Sequence, residues 1–162
     1  MPGTHTPGDN NMRHMILIAA GILVSAAAFA ADAPNAAPAA ADVLHPKAPA
    51  GARAFIVVPQ DGATVGQDVH VQFGVEGIAI APATEATPNT GHHHLLIDAT
   101  ALPAAGVPIP NDATHKHYGK GQTEDTIHLG PGDHTLQLEF ANAAHVPFEP
   151  PILSKKITVH VK

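Results

Sequence analysis

Apolar and polar residues alternate along several short stretches of this chain. Between residues 69 and 76, valine and phenylalanine occupy every second position, with His70 and Gln72 among the residues between them. Alternate side chains of a strand point to opposite faces, so this period of two predicts half-buried β-strands. On the same reasoning, together with apolar runs that end at turn residues, we expect strands over residues 54–58, 69–76, 93–98, 123–129, 135–140 and 156–161.

The spacing of these strands indicates an all-β fold. Six or seven short strands over residues 53–162, without a helical pattern longer than two turns, favour an immunoglobulin-like two-sheet sandwich. Two segments, 77–91 and 99–122, are rich in proline and show no convincing element. Long loops of this kind in a small domain are often functional.

The first 30 residues have the pattern of a secretory leader. Arg13 precedes an apolar run from Met15 to Phe29, and Ala28 and Ala30 provide small residues before a cleavage site. We therefore expect translation to start at Met12, with cleavage after Ala30 and a periplasmic or secreted product. The run falls short of the roughly 20 residues that span a bilayer, so no transmembrane segment is expected in the mature chain.

Residues 31–52 are dominated by alanine and proline and show neither strand alternation nor a sustained helical stripe. A segment that buries so little apolar surface cannot offset the entropy lost on ordering. We predict a flexible linker here, followed by a single domain over residues 53–162.

The amino-acid composition argues against several classes of function. The net charge of −6 provides no basic surface for a phosphate backbone, so no nucleic-acid partner is expected. The chain has no cysteine, and its three methionines lie within the first 15 residues, so the mature protein has no sulfur ligand. Ser154 is the one serine after residue 30 and lacks the surroundings of a hydrolase nucleophile.

Histidine is the unusual feature, with 13 residues in the chain. His70, His128 and His160 fall on the polar positions of predicted strands, which indicates solvated side chains. His134 follows a Pro-Gly-Asp turn and is expected to hydrogen-bond the turn backbone.

The remaining histidines of the domain favour a metal site. In an extended chain, His92 and His94 share one face and His93 the other, and the His-x-His spacing of His115 and His117 gives a second same-face pair. Neutral imidazole is the commonest protein metal ligand, and imidazoles without sulfur suit Cu(II), Zn(II) or Ni(II). Of these, we expect Cu(II) or Zn(II). Asp98 and Glu124 are candidates to orient the rings. The candidate ligands are therefore His92, His94, His115 and His117, with His93 and His145 as secondary candidates.

Three alternatives remain open. In the first, the histidines are structural and the domain is a non-catalytic module that binds another protein of the cell envelope. In the second, the metal site is catalytic and Glu124 serves as its base, although the spacing assigns no catalytic residue. In the third, the clustered imidazoles form a pH switch that loosens below about pH 6.

Three motifs carry a resemblance to a known family. They are Gly91-His-His-His-Leu-Leu-Ile-Asp98, then His115-Lys-His-Tyr-Gly-Lys-Gly-Gln-Thr-Glu124, and then Pro131-Gly-Asp-His-Thr-Leu-Gln-Leu138. In these and the segments around them, the chain resembles a family of secreted bacterial proteins classed as a domain of unknown function. The resemblance implies a small exported β domain and assigns no activity, but the family motifs coincide with the histidine clusters.

Overall fold

The computed structural model describes residues 40–162. The predicted leader over residues 1–30 and the first part of the predicted linker lie outside the described residues. Within the described part, no helix has both the length and the apolar character needed to cross a bilayer.

The predicted all-β fold is confirmed. One short helix, α1, is followed by ten strands, several of them very short. Their bounds are α1 Ala40–Leu44, β1 Arg53–Val58, β2 Ala63–Val65, β3 Asp68–Glu76, β4 Ala79–Ile80, β5 Thr90–Ile97, β6 His115–His117, β7 Glu124–His128, β8 Gly132–Ala141, β9 Pro147–Leu153 and β10 Ile157–Val161.

The described strands form two sheets. The smaller sheet has the order β1-β3-β7 and is antiparallel throughout. The larger sheet has the order β2-β10-β8-β5-β4, with β6 paired to β5 and β9 paired to β8. Strands β5 and β8 lie at its centre and pair antiparallel from His92 opposite Ala141 to Ile97 opposite Leu136.

The main core lies between the two sheets. Strand β3 contributes Val71 and Phe73, and strand β8 contributes Leu136, Leu138 and Phe140, all of them buried in one cluster. These are the alternating apolar positions of the sequence, so each strand turns this face towards the other sheet. The other face of β8 is then the outer face of the larger sheet.

The domain begins earlier in the chain than the sequence pattern predicts. Residues 40–52 were expected to belong to a flexible linker, yet α1 forms there and Pro46 is buried. Ala48 donates its backbone N–H to Glu149, and Glu149 donates its own to Pro46, which ties this segment to β9. The Ala/Pro composition concealed the segment because its ordering depends on these non-local bonds rather than on an apolar pattern.

The long segment after β5 also contains structure that its composition did not predict. Residues 115–117 form β6, which pairs with the middle of β5. Ile109 of the same segment donates its backbone N–H to the carbonyl of His145. Leu96, Ile109 and Val146 are buried there, apart from the main core cluster. Residues 98–114 and the loop after β8 therefore cover the outer face of β5.

Candidate metal site

The three consecutive histidines of β5 divide between the two faces of the larger sheet. His93 lies on the inner face, where its ring packs edge-on against Phe73 and Phe140 at centroid distances of 5.0 and 4.9 Å. His92 and His94 lie on the outer face because strand residues alternate. Both are fully buried, and their Nε2 atoms are 3.1 Å apart.

Strand β6 adds a third ring to this face. His117 pairs in register with His94, and its ring centroid lies 5.1 Å from that of His94 and 4.9 Å from that of His92. A Cβ atom at Gly119 would clash with Cε1 and Nε2 of His117. Glycine at this position therefore leaves room for the imidazole where it lies.

A fourth ring comes from the loop between β8 and β9. His145 has a left-handed φ of 63° in this loop. Asn142 fixes the loop, because its Oδ1 accepts the backbone N–H groups of Ala144 and Val146, each at 3.0 Å. Its Nδ2 donates to the carbonyl of Val43 at 2.7 Å, which connects the loop to α1.

Together, His92, His94, His117 and His145 form the four-histidine cluster. All six pairs of ring centroids are between 4.7 and 5.8 Å apart. One ligand atom from each of His92, His94 and His117 lies within 4.8 Å of the others, close enough to bind a metal. The Nε2 atoms of His117 and His145 are 3.1 Å apart. A tetrahedral ion with bonds of about 2.0–2.1 Å sets its nitrogens about 3.3 Å apart, so each close Nε2 pair by itself has the spacing that such an ion needs. The group of ligand atoms within 4.8 Å of one another does not include His145.

Electrostatics favour the neutral form of His92, His94 and His117. Burial, assisted by the neighbouring imidazoles, lowers the pKa of His92 to about 3 and that of His94 to about 2. The pKa of His117 is lowered as well, first by burial and then by His145. A protonated imidazole has no lone pair for a metal, so the neutral form that burial enforces is also the form that binds one.

The sequence reasoning missed one residue at this site. Glu139 is buried on β8, directly opposite His94 and on the same face of the sheet. Burial raises the pKa of its carboxyl to about 7. Neither of its oxygens has a hydrogen-bond partner within the described part of the chain, and the same is true of Nδ1 of His92 and of His94. The sequence shows that Glu139 falls on a polar position of this strand. Only the register between β5 and β8 shows that it lies beside His94.

The other predicted site residues are not in the group of ligand atoms that lie within 4.8 Å of one another. His115 lies on the same face of β6 as His117, but opposite Leu96. Nδ1 of His115 lies 3.0 Å from Oδ1 of Asp112. Asp98, expected to orient a ligand ring, instead lies 2.7 Å from Nδ1 of His134 and accepts the N–H of Thr135. His93 faces the core, away from the cluster.

Glu124 does not lie beside the cluster either. It is exposed on β7, at the edge of the smaller sheet, whereas the cluster is on the outer face of the larger sheet. Packed sheets lie about 10 Å apart, so the core separates the two. Glu124 is therefore unsuited to orienting these rings or to acting as their catalytic base.

Three histidines were predicted to be solvated because they occupy polar positions of strands. They are exposed, as expected: His70, His128 and His160. Nε2 of His134 lies 2.9 Å from the carbonyl oxygen of Gly130, which confirms the expected bond to the turn backbone.

The fold and the cluster define a class of protein: a two-sheet β-sandwich that holds a group of histidines on the covered outer face of one sheet. The model of a protein family described as "Domain of unknown function (DUF4399)" matches residues 71–162, more than half of the chain. The chain belongs to this family, which confirms the resemblance to an uncharacterised domain. No curated protein and no solved structure matches the chain.

Proposed function

We propose that this protein is an exported domain that binds one divalent transition metal ion, Cu(II) or Zn(II), for storage or delivery. His92, His94 and His117 are the primary ligands, and His145 completes the set. The observation that carries the proposal is that ligand atoms of His92, His94 and His117, from β5 and β6, lie within 4.8 Å of one another. His145 from the loop after β8 adds an Nε2 atom 3.1 Å from that of His117. The leader pattern over residues 12–30 supports a periplasmic or secreted location.

The ligand set suits these metals. Zn(II) binds imidazole nitrogen at about 2.0–2.1 Å and is usually tetrahedral when all four ligands come from the protein. Cu(II) also favours imidazole, and it has the highest intrinsic affinity of the divalent first-row ions for nitrogen sites. With four protein ligands, a tetrahedral ion keeps no position for a substrate, which favours holding a metal over catalysis.

The test is metal binding by the chain produced with its leader and purified without a tag. Calorimetric titration with ZnSO₄ or CuSO₄ should give close to one equivalent. The double variant His92→Ala/His94→Ala should lose this binding. A matched control, His128→Ala/His160→Ala, removes two exposed strand histidines and should retain it. Equal stoichiometry in all three proteins would refute the site.

A structural role for the cluster is the second candidate. The 3.1 Å Nε2 pairs also fit hydrogen bonds between neutral imidazoles of complementary tautomers. In that case the domain would be a non-catalytic module with a protein partner in the cell envelope. Ala substitutions in the cluster would then lower the melting temperature, while zinc, copper and chelators would leave it unchanged.

A further inference from the structure

The strongest unexplained group in the described chain is the side chain of Glu139. It is 1 % exposed, and both carboxylate oxygens lack a hydrogen-bond partner among the described residues. It also takes part in none of the ion pairs found between residues 40 and 162. A buried polar group without a partner is costly, and a buried charge is costlier still, so this position calls for an explanation.

The position of Glu139 points to the four-histidine cluster. His94 lies between two register partners on the outer face of the sheet, His117 on β6 and Glu139 on β8. Residues directly opposite on antiparallel strands have Cβ atoms about 4.5–5.5 Å apart. Glu139 is therefore the nearest carboxylate to His94 on that face by strand register.

The two nitrogens of His94 differ in what they contact. Nε2 faces the Nε2 of His92, whereas Nδ1 has no partner. An imidazole that binds a metal through Nε2 carries its proton on Nδ1, and that proton is usually donated to a carboxylate, a carbonyl or water. The unpartnered donor on His94 and the unpartnered acceptor on Glu139 are thus neighbours on one sheet face.

We propose that Glu139 is the anionic positioning residue of the metal site: it accepts the Nδ1–H of His94, leaves Nε2 free for the ion, and balances the charge of a divalent cation. This inference rests on the proposed function. Four neutral imidazoles bring no negative charge to a cation, and Glu139 supplies the one buried carboxylate found on this face of the described sheet. The negative charge of Glu139 beside His94 therefore favours a doubly charged cation over a neutral or anionic ligand.

Two substitutions separate this role from simple packing. Glu139→Gln keeps the shape and one acceptor oxygen but removes the charge, and Glu139→Leu removes both. Gln137→Leu is the matched control, because Gln137 lies on the same face of β8, opposite Leu96 rather than a histidine, with Nε2 bonded to the carbonyl of Ser154.

The experiment titrates each full-length protein with ZnSO₄ and follows metal-free unfolding in urea. We expect about 10-fold weaker zinc binding for Glu139→Gln and about 100-fold for Glu139→Leu, in the range found for residues that support metal ligands. Gln137→Leu should stay within about 2-fold of wild type. Metal-free Glu139→Leu should unfold at the same or a higher urea concentration than wild type, because it no longer buries an unpaired carboxyl.

A second readout addresses the tautomer of His94. Imidazole ¹⁵N chemical shifts of the zinc-loaded wild type should show His94 protonated at Nδ1, and Glu139→Leu should show a mixture of tautomers or a shifted Nδ1 signal. If Glu139→Leu fails to fold, the affinity and shifts of Glu139→Gln decide the question.

These measurements distinguish failure of the proposed role of Glu139 from failure of the proposed function. If wild type binds no zinc or copper, the proposed function fails, and this inference fails with it. If wild type binds zinc and both Glu139 variants bind it equally well with an unchanged His94 tautomer, only the role of Glu139 is refuted. A parallel loss of urea stability and affinity in both variants, again with the His94 tautomer unchanged, would mark Glu139 as structural and also overturn the proposal.

Discussion

At the scale of single residues, His92 and His93 are neighbours in sequence with opposite surroundings. His92 belongs to the four-histidine cluster, and His93 lies between two phenylalanine rings in the core. Neither ring nitrogen of His93 has a partner among the described residues, and burial lowers its pKa to about 4. A histidine that makes no hydrogen bond contributes to the core mainly through its shape.

We therefore predict that His93→Leu keeps full metal binding. Removing a buried polar ring without partners should leave the free energy of unfolding unchanged or raise it by about 1 kcal/mol. Urea denaturation and zinc titration of the same preparation measure both quantities. His94→Leu is the comparison and should abolish tight binding; loss of zinc in His93→Leu would contradict the division of the two faces.

Gly119 provides a second test at this scale. Gly119→Ala would place a methyl group against the His117 ring, so the ring must move out of the cluster. We expect zinc affinity to fall at least about 10-fold while the protein stays folded. Gly130→Ala is the matched control, because no atom lies within 4 Å of a Cβ built there. Equal affinities in the two variants would argue against His117 as a ligand.

Part of the site could be predicted from single residues and part could not. The same-face position of His92 and His94 follows from strand alternation alone. The His-x-His pattern places His115 and His117 alike, but the side chains of Asp112 and Thr114 take up Nδ1 of His115. The proximity of Glu139 to His94 depends on strand register, which the sequence does not reveal without a known pairing.

At the scale of elements, the loop between β8 and β9 is held in place by hydrogen bonds between its own residues. The backbone N–H of His145 donates to the carbonyl of Asn142, and the N–H of Asn142 donates to the carbonyl of Val146. With the three bonds of its side chain, Asn142 determines the path of the chain that carries His145 over the sheet.

Substitution of Asn142 should therefore weaken the site by releasing one ligand. Asn142→Ala leaves two buried or half-buried amides unpaired, which should cost about 1–3 kcal/mol of stability and lower zinc affinity by about 10-fold. Asn142→Asp keeps the acceptor oxygen for the loop and loses the bond to Val43, so its zinc affinity should lie closer to wild type. Calorimetry and urea unfolding provide the measurements, and an unchanged affinity in Asn142→Ala would exclude His145 from the ligand set.

Element prediction succeeded where local patterns are strong and failed where non-local contacts decide. The strands around Phe73 and Leu138 are clear in the alternation of the sequence. Strand β6 has three residues within a proline-rich segment, and its pairing with β5 orders it. Helix α1 lies in Ala/Pro-rich sequence, and its contacts with the loop after β8 could not be foreseen from composition.

At the scale of the whole molecule, the metal-free protein should lose stability as the pH falls below about 6.5. His92, His93 and His94 have lowered pKa values in the folded chain, so between pH 6.5 and about 4 the unfolded chain binds protons that the folded chain does not. Stability then decreases with falling pH, by up to about 2 kcal/mol per group between pH 6.5 and 5.

Other groups affect this window little or in the opposite direction. The pKa of Glu139 is raised to about 7 by burial, so between about pH 7 and 4.5 the folded chain binds a proton that the unfolded chain does not, and this group offsets roughly the contribution of one ring. The pKa of His134 is raised by Asp98 and acts in the same direction, but these two groups are opposed by three buried rings with lowered pKa values. The pKa of Asp112 is lowered to about 2, chiefly by His115, and its contribution is lost only below about pH 4. Urea midpoints at pH 7.5, 6.5, 5.5 and 5.0 measure how stability changes with pH. A midpoint that does not change over this range would contradict the lowered pKa values of His92, His93 and His94.

Metal should oppose this acid sensitivity. At pH 7.5, a free zinc concentration 100 times Kd should add about 2.7 kcal/mol, which corresponds to roughly 10 °C in melting temperature for a domain of this size. A chelator should reverse the shift. Differential scanning calorimetry of wild type and His92→Ala/His94→Ala provides the comparison, since the variant should show no shift.

The burial of His92 and His94 beneath residues 98–114 and the loop after β8 has a kinetic consequence. The central strands of a sheet are among the last parts of a protein to open, whereas covering loops open at much lower cost. An ion seated on β5 would therefore escape at the rate of loop opening, far faster than unfolding but slower than from a surface site. A partner protein that displaced either covering segment would release the ion while the sheet stays folded.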